Sequence, residues 1–256
     1  MTPFAKKVVG FLPPRGPCDP RAVCPGLWWP DRLVIAVLDY GIGNLRSAEK
    51  ALQHVGSDAR LVSDSARVAD AEGVVLPGVG SFGPCARALR DSGLESAALD
   101  AIARGTPFLG ICIGFQLLYE GSEEDPDQPG LGVLPGMVRA LPRGVKHPQM
   151  QWNVLNRVAG HESGLLAGTP DPAWVYFVHS FAPEMTSDTT STCDYGGPIT
   201  ASAERGRLWG TQFHPEKSGS VGLGILGNFA REVAGTRPGV SARPVTSRPA
   251  PSGTDS

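Results

Sequence analysis

From Leu33 onward, apolar runs of strand length alternate with stretches whose apolar residues recur at helical spacing. Leu33 to Leu38 is a continuous apolar run rich in β-branched residues, ending in Asp39-Tyr40-Gly41. Asn44 to Val55 follows with Leu45, Ala48, Leu52 and Val55 on one helical face, so the chain opens as β-α. The order repeats with Ala59 to Val62, then Gly73 to Leu76 running into Pro77-Gly78-Val79-Gly80, then a helical stretch near Cys85 to Arg104. A strand from Pro107 to Ile111 and a helix from Ile113 to Tyr119 come next. Continuous apolar strands alternating with helices are buried on both faces, which predicts a mostly parallel sheet in an α/β layer fold. The second half changes character. Val138 to Leu141, Trp152 to Leu155, Trp174 to Val178, Ile199 to Ala203 and Arg207 to Phe213 read as strands with few helices between them, predicting antiparallel additions. Ser218 is placed to cap a final apolar helix reaching Ala234.

Composition locates the limits of this pattern. Residues 1–32 hold seven prolines and residues 236–256 hold four, so the two ends carry 11 of the 24 in the chain and differ in kind from the middle. The Ser/Thr/Pro-rich tail, 236–256, lacks the apolar periodicity that would repay its ordering and is expected to be disordered. The head, 1–32, reads as a loose arm, or as sequence upstream of a native start near Leu33 or Val34. The folded domain is expected to span 33–235.

Lys+Arg 23 against Asp+Glu 25 gives a net charge of -2 without a basic block, which argues against nucleic acid or an anionic membrane as partner. No apolar run approaches the ~20 residues of a membrane helix, and Val8 to Leu12 is cut short by Pro13-Pro14 before it could serve as a signal-peptide core, so a cytoplasmic protein is expected. The five cysteines, Cys18, Cys24, Cys85, Cys112 and Cys193, include no CxxC pair, which speaks against a disulfide framework or a zinc ribbon. Nothing in the sequence calls for a metal or a cofactor. Gly41-Ile42-Gly43 lacks the third glycine of a dinucleotide fingerprint, position 46 being Arg, and reads as a tight turn.

The strongest chemical signal is Gly110-Ile111-Cys112-Ile113-Gly114, between a strand and a helix. That is the arrangement of a nucleophile elbow with Cys in the nucleophile's place, its glycines letting neighbouring backbone approach and its helix start favouring a thiolate. A thiolate attacking an amide needs a proton donor for the leaving amine. Of the histidines, His54 and His161 read as surface or packing residues and His147 lies in a Pro-rich loop, whereas His214 follows an apolar strand and stands in His214-Pro215-Glu216. In an extended segment, residues two apart project to the same side, so Glu216 is placed to orient the imidazole. Backbone amides of Pro77-Gly78-Val79-Gly80, with that of Ile113, are candidates for an oxyanion hole.

Strand-GxCxG-helix, an upstream Pro-Gly-x-Gly and a downstream His-Pro-Glu together resemble the class I, triad-type glutamine amidotransferases. Within them, Asp39 to Ser47, Pro77 to Phe82, Tyr176-Phe177-Val178-His179-Ser180 and Gln212 to Ser218 are similar to the HisH family, the glutaminase subunits of imidazole glycerol phosphate synthase. The resemblance implies a flavodoxin-like layered fold and a cysteine-dependent glutaminase. Its ammonia would pass to a HisF-type (β/α)8-barrel cyclase in a heterodimer serving histidine biosynthesis. It implies Cys112 as nucleophile, His214 as acid and base and Glu216 as orienter. Gly78, Val79, Gly80, Ile113, Gln116 and Ser180 would serve the oxyanion and L-glutamine, and Trp152, Asn153, Tyr176 and Lys217 the interface. Taken alone, Trp152 has core and Lys217 a solvated side chain as the alternative reading. The family's Pro-His-Met-Gly-Trp-Asn is here Pro148-Gln149-Met150-Gln151-Trp152-Asn153. Gln151 cannot take glycine's backbone angles as cheaply, so this segment is expected to sit differently. Alternatives are a glutaminase for another acceptor, a non-catalytic subunit of the same fold, and a cysteine-elbow hydrolase or chaperone of the DJ-1 type.

Overall fold

The computed structural model describes residues 34–235, and each strand predicted within them is present. The proline-rich head and the tail, with Cys18 and Cys24, lie outside those residues. The first half runs β1 (Val34–Leu38), α1 (Leu45–His54), β2 (Asp58–Val62), α2 (Ser65–Ala69) and β3 (Gly73–Gly78). It continues through α3 (Phe82–Asp91), α4 (Leu94–Ala103), β4 (Phe108–Cys112) and α5 (Ile113–Gln116). The second half opens with β5 (Gly121–Ser122), β6 (Met137–Ala140), β7 (Gln149–Val154) and β8 (Asn156–Arg157). After it come β9 (Trp174–His179), β10 (Phe181–Pro183), β11 (Thr189–Asp194), β12 (Pro198–Arg205), β13 (Leu208–Thr211) and α6 (Gly219–Ala234).

The main sheet has the order β2-β1-β3-β4-β13-β12-β11-β8. β2, β1, β3, β4 and β13 are mutually parallel, and β12, β11 and β8 add antiparallel at the far edge. β3 and β4 are buried along their whole length, as strands covered on both faces must be. Tyr40, Gly78, Cys112 and His214 all lie at or just beyond the carboxyl ends of parallel strands, where open α/β sheets build their sites.

Three predicted elements are corrected. The single helix expected near Cys85 to Arg104 is two, divided where Gly93 takes φ 74° between α3 and α4. The helix expected from Ile113 to Tyr119 stops at Gln116, because a loop captures the carbonyls that would continue it. Leu131, Val133 and Gly132 donate to Leu117, Leu118 and Tyr119 at 2.7, 2.9 and 3.1 Å. Ser218 stands at the start of α6 but its hydroxyl does not cap it; it donates to the His214 carbonyl at 2.7 Å and accepts from the Tyr176 amide at 3.0 Å.

Candidate active site

Cys112 ends β4 and turns directly into α5 with φ 55° and ψ -110°; among the described residues it is the one non-glycine with positive φ. An L-residue held there is strained, as at other nucleophile elbows. The turn is also tight: a Cβ on Gly114 would stand 1.8 Å from the Leu76 carbonyl oxygen, so no side chain fits between elbow and β3. The thiol is buried, with the Gln212 amide nitrogen donating to Sγ at 3.7 Å and the Val178 carbonyl 4.0 Å away.

His214 follows β13, its amide donating to the Tyr176 carbonyl at 3.0 Å. Its Nδ1 meets Glu216 Oε1 at 2.8 Å, and both side chains are almost wholly buried. The spacing reaches this pairing by a different route from the one the sequence suggests: Pro215–Lys217 forms a single 3-10 turn instead of continuing extended. His214 Nε2 closes no hydrogen bond among the described residues. Burial pulls the imidazole's pKa down, and the proximity and charge of Cys112 and Glu216 outweigh it, pushing the value up to about 10. A buried thiol, an imidazole and a carboxylate in this order can generate a nucleophile and return its proton to a leaving group.

Cys112 and His214 open onto a cavity of about 490 Å³ that Val79, Gly80, Ile113, Gln116, Ser180 and Lys217 also line. Gln116 donates through Nε2 to the Phe181 carbonyl at 2.8 Å and to Gln212 Oε1 at 3.0 Å, leaving Oε1 buried without a partner among the described residues. Two wall residues escape sequence reasoning. Glu124, inside a run of acidic loop residues, has its carboxylate anchored by the Phe82 amide at 2.7 Å. His179 accompanies Ser180 in a recognisable motif that assigns it no task; its Nδ1 lies 2.9 Å from the Phe181 carbonyl, and burial depresses its pKa to about 4. Among the described residues no cluster of three His, Cys, Asp or Glu is placed to hold a metal, and no helix is long and apolar enough to cross a membrane.

β7 and β9 pair in register from Gln149↔His179 to Val154↔Trp174 beside this cavity. Gln151 lies in regular strand opposite Phe177 and carries no glycine-like angle. One face of the pair is buried through Val175, Phe177 and His179, and the other exposes Met150 (61%), Trp174 (50%) and Trp152 (48%). Trp152 is therefore not core. Its ring meets Tyr176 edge-on at 6.1 Å. Asn153 is already occupied, donating to the Asp194 carbonyl at 2.8 Å, and Lys217 is exposed.

A strand-elbow-helix thiol with a His-Glu partner on a parallel sheet defines a class of amide-hydrolysing enzymes. The family model Glutamine amidotransferase class-I matches residues 36–233, and the chain belongs to that family. A relative from Synechococcus sp. (strain JA-3-3Ab), Imidazole glycerol phosphate synthase subunit HisH, is 47% identical over 213 residues, covering 81% of this chain and 98% of its own. The protein of that name from Deinococcus radiodurans is 45% identical over 204 residues, covering 78% and 94%. Among solved structures, a glutamine amidotransferase aligns with TM-score 0.62 at 20% identity, covering 79% of this chain and 99% of that one. PurLQS from Thermotoga maritima aligns with TM-score 0.59 at 22% identity, covering 79% and 97%, which establishes the shared fold.

Proposed function

We propose that the chain is the glutaminase subunit of an imidazole glycerol phosphate synthase. It acts in cytoplasmic histidine biosynthesis, hydrolysing L-glutamine and passing ammonia to a HisF-type (β/α)8-barrel cyclase. The observation that carries the chemistry is Cys112 held at a strained elbow, with the buried His214–Glu216 pair at the same cavity. The names of relatives 43–47% identical support the pathway.

Cys112 Sγ attacks the γ-carbonyl carbon of glutamine, and the developing oxyanion is received by the amides of Val79 and Ile113, with Gly78 and Gly80 shaping the strand. His214 gives its proton to the amine, the C–N bond breaks, ammonia leaves, and a γ-glutamyl thioester remains. Water then attacks the thioester with His214 as base, releasing glutamate and restoring the thiol. Glu216 holds the imidazole throughout. The substrate's α-ammonium is matched by the Glu124 carboxylate and by the free Gln116 Oε1, and Ser180 lines its seat.

Ammonia released into water is protonated and lost to the acceptor reaction, so the cavity must be covered by its user. The exposed face of Met150, Trp152 and Trp174, with Tyr176 and Lys217 at its edge, is the aromatic-rich patch such an interface needs. It reaches the triad through Tyr176, which pairs with Trp152 and whose carbonyl accepts from the His214 amide, while the Ser218 hydroxyl bridges the Tyr176 amide and the His214 carbonyl.

The test is glutamate release by the chain alone, with a HisF-type cyclase, and with cyclase plus its nucleotide substrate. A rise requiring both partner and nucleotide is the expected result, and Cys112→Ala should abolish it while leaving ammonia-dependent turnover by the cyclase intact. Turnover indifferent to the cyclase would refute the partner; loss of both activities in Cys112→Ala would refute the role of Cys112.

A further inference from the structure

The end of β3 and Val79, the residue that follows it, are gripped by two buried donors that the triad does not use. Tyr40, just beyond β1, donates through its hydroxyl to the Pro77 carbonyl at 2.7 Å. Cys85, fully buried on α3, donates through Sγ to the Val79 carbonyl at 3.3 Å. Pro77 lies in β3 and Val79 just past its end at Gly78, so the two donors hold the strand's carboxyl end and the residue that leaves it. The edge of β3 that pairs with β4 faces the elbow. Val74 donates toward β4 at 2.8 Å, to Pro107, and a Cβ on Gly78 would come within 2.8 Å of the Gly114 nitrogen and 2.9 Å of both Ile113 Cβ and Tyr40 Oη. The backbone at Gly78 is thus wedged between the elbow and the Tyr40 hydroxyl. Both donors also keep their protons at neutral pH. Burial pushes the Cys85 thiol up to about 11, the neighbouring Tyr40 hydroxyl opposing and the charges of Cys112 and Glu124 adding to it, and burial likewise raises Tyr40.

We propose that Cys85 is a positioning residue for glutamine hydrolysis: with Tyr40 it anchors the Pro77 and Val79 carbonyls, and this sets the Val79 amide for the oxyanion formed at Cys112. The inference rests on the glutaminase reading and on Val79 as an oxyanion donor. A thiol that merely filled α3's share of the core would affect stability alone, and its hydrogen bond to the strand would be incidental.

The experiment compares wild type, Cys85→Ala and Cys85→Ser as full chains with the cyclase and its nucleotide substrate present. It reads kcat and KM for glutamine together with the rate at which iodoacetamide alkylates Cys112, followed by peptide mass mapping. Alkylation needs the Cys112 thiolate but forms no oxyanion, so it separates strand placement from nucleophile integrity. Cys85→Ala should lower kcat about tenfold or more, a fraction of what outright loss of an oxyanion donor costs, with KM and the alkylation rate changed by less than about threefold. Cys85→Ser, which keeps a donor, should recover kcat to within about threefold of wild type. The proposal is overturned by a wild-type kcat in Cys85→Ala, by kcat and alkylation falling together, or by Cys85→Ser as slow as Cys85→Ala. A wild type that releases no glutamate would overturn the glutaminase reading, and this inference with it.

Discussion

Replacing Cys112 with glycine should make the protein more stable than replacing it with alanine, although both variants lose glutamine hydrolysis. The comparison isolates the backbone, since each variant removes the sulfur and its 3.7 Å contact with Gln212. At φ 55° and ψ -110°, Cys112 sits outside the regions open to L-residues, a placement that costs roughly 1–3 kcal/mol. Alanine inherits that strain and glycine does not. Against this, glycine adds about 0.4–1 kcal/mol of unfolded-state freedom that folding must remove. The balance favours glycine by about 1–2 kcal/mol, which for a domain of this size raises Tm by roughly 2–8 °C over Cys112→Ala. Urea unfolding of the two variants, read as a midpoint shift at constant slope, measures it directly. A glycine variant no more stable than the alanine variant would refute the reasoning, because the elbow would then hold no strain for glycine to relieve.

Other outcomes follow from the same geometry. Glu216→Gln should lower kcat for glutamine by about 100-fold or more with KM little changed, since the imidazole keeps a neighbour but loses the carboxylate that stabilises its charged form; steady-state kinetics checks this. His179, with a pKa depressed by burial from 6.5 to about 4, is folded as the neutral ring, so the unfolded chain takes up a proton the fold refuses as pH falls through that window. Stability should drop there by up to about 3 kcal/mol, and His179→Asn should flatten this limb in urea titrations at pH 7.5 and 5. His214 acts in the opposite sense, its raised pKa contributing stability below pH 6.5 that is lost as pH rises toward about 10. Trp152→Ala should weaken cyclase binding at least tenfold in calorimetry while glutamine hydrolysis by the isolated chain is unchanged.

The elbow was legible because its needs are local: a strand, a nucleophile and glycines within five residues. The His214–Glu216 pair was legible in identity but not in shape, since an extended and a 3-10 path bring the same two side chains together. β11 escaped notice because four of its five buried residues are Thr189, Thr190, Ser191 and Thr192; Thr190 and Ser191 meet Ser202 at 2.7 and 2.6 Å, and the Thr189 hydroxyl accepts from the Thr186 amide at 2.9 Å. An apolar pattern cannot reveal a strand that buries polar groups by pairing them. Ser218 had the right residue type for a helix cap, but two backbone partners from distant segments claimed its hydroxyl. Glu124 and Cys85 gain their meaning from the Phe82 amide and the Val79 carbonyl, contacts that exist once the chain has folded.

The most direct test of Cys112 as the nucleophile is labelling by a glutamine-mimicking diazo ketone, with the modified residue located by peptide mass mapping. One label is predicted, on Cys112, slowed by added glutamine, absent from Cys112→Ala and formed in step with loss of glutamate release. A label on Cys85 or Cys193, or continued turnover by fully labelled protein, would contradict the account.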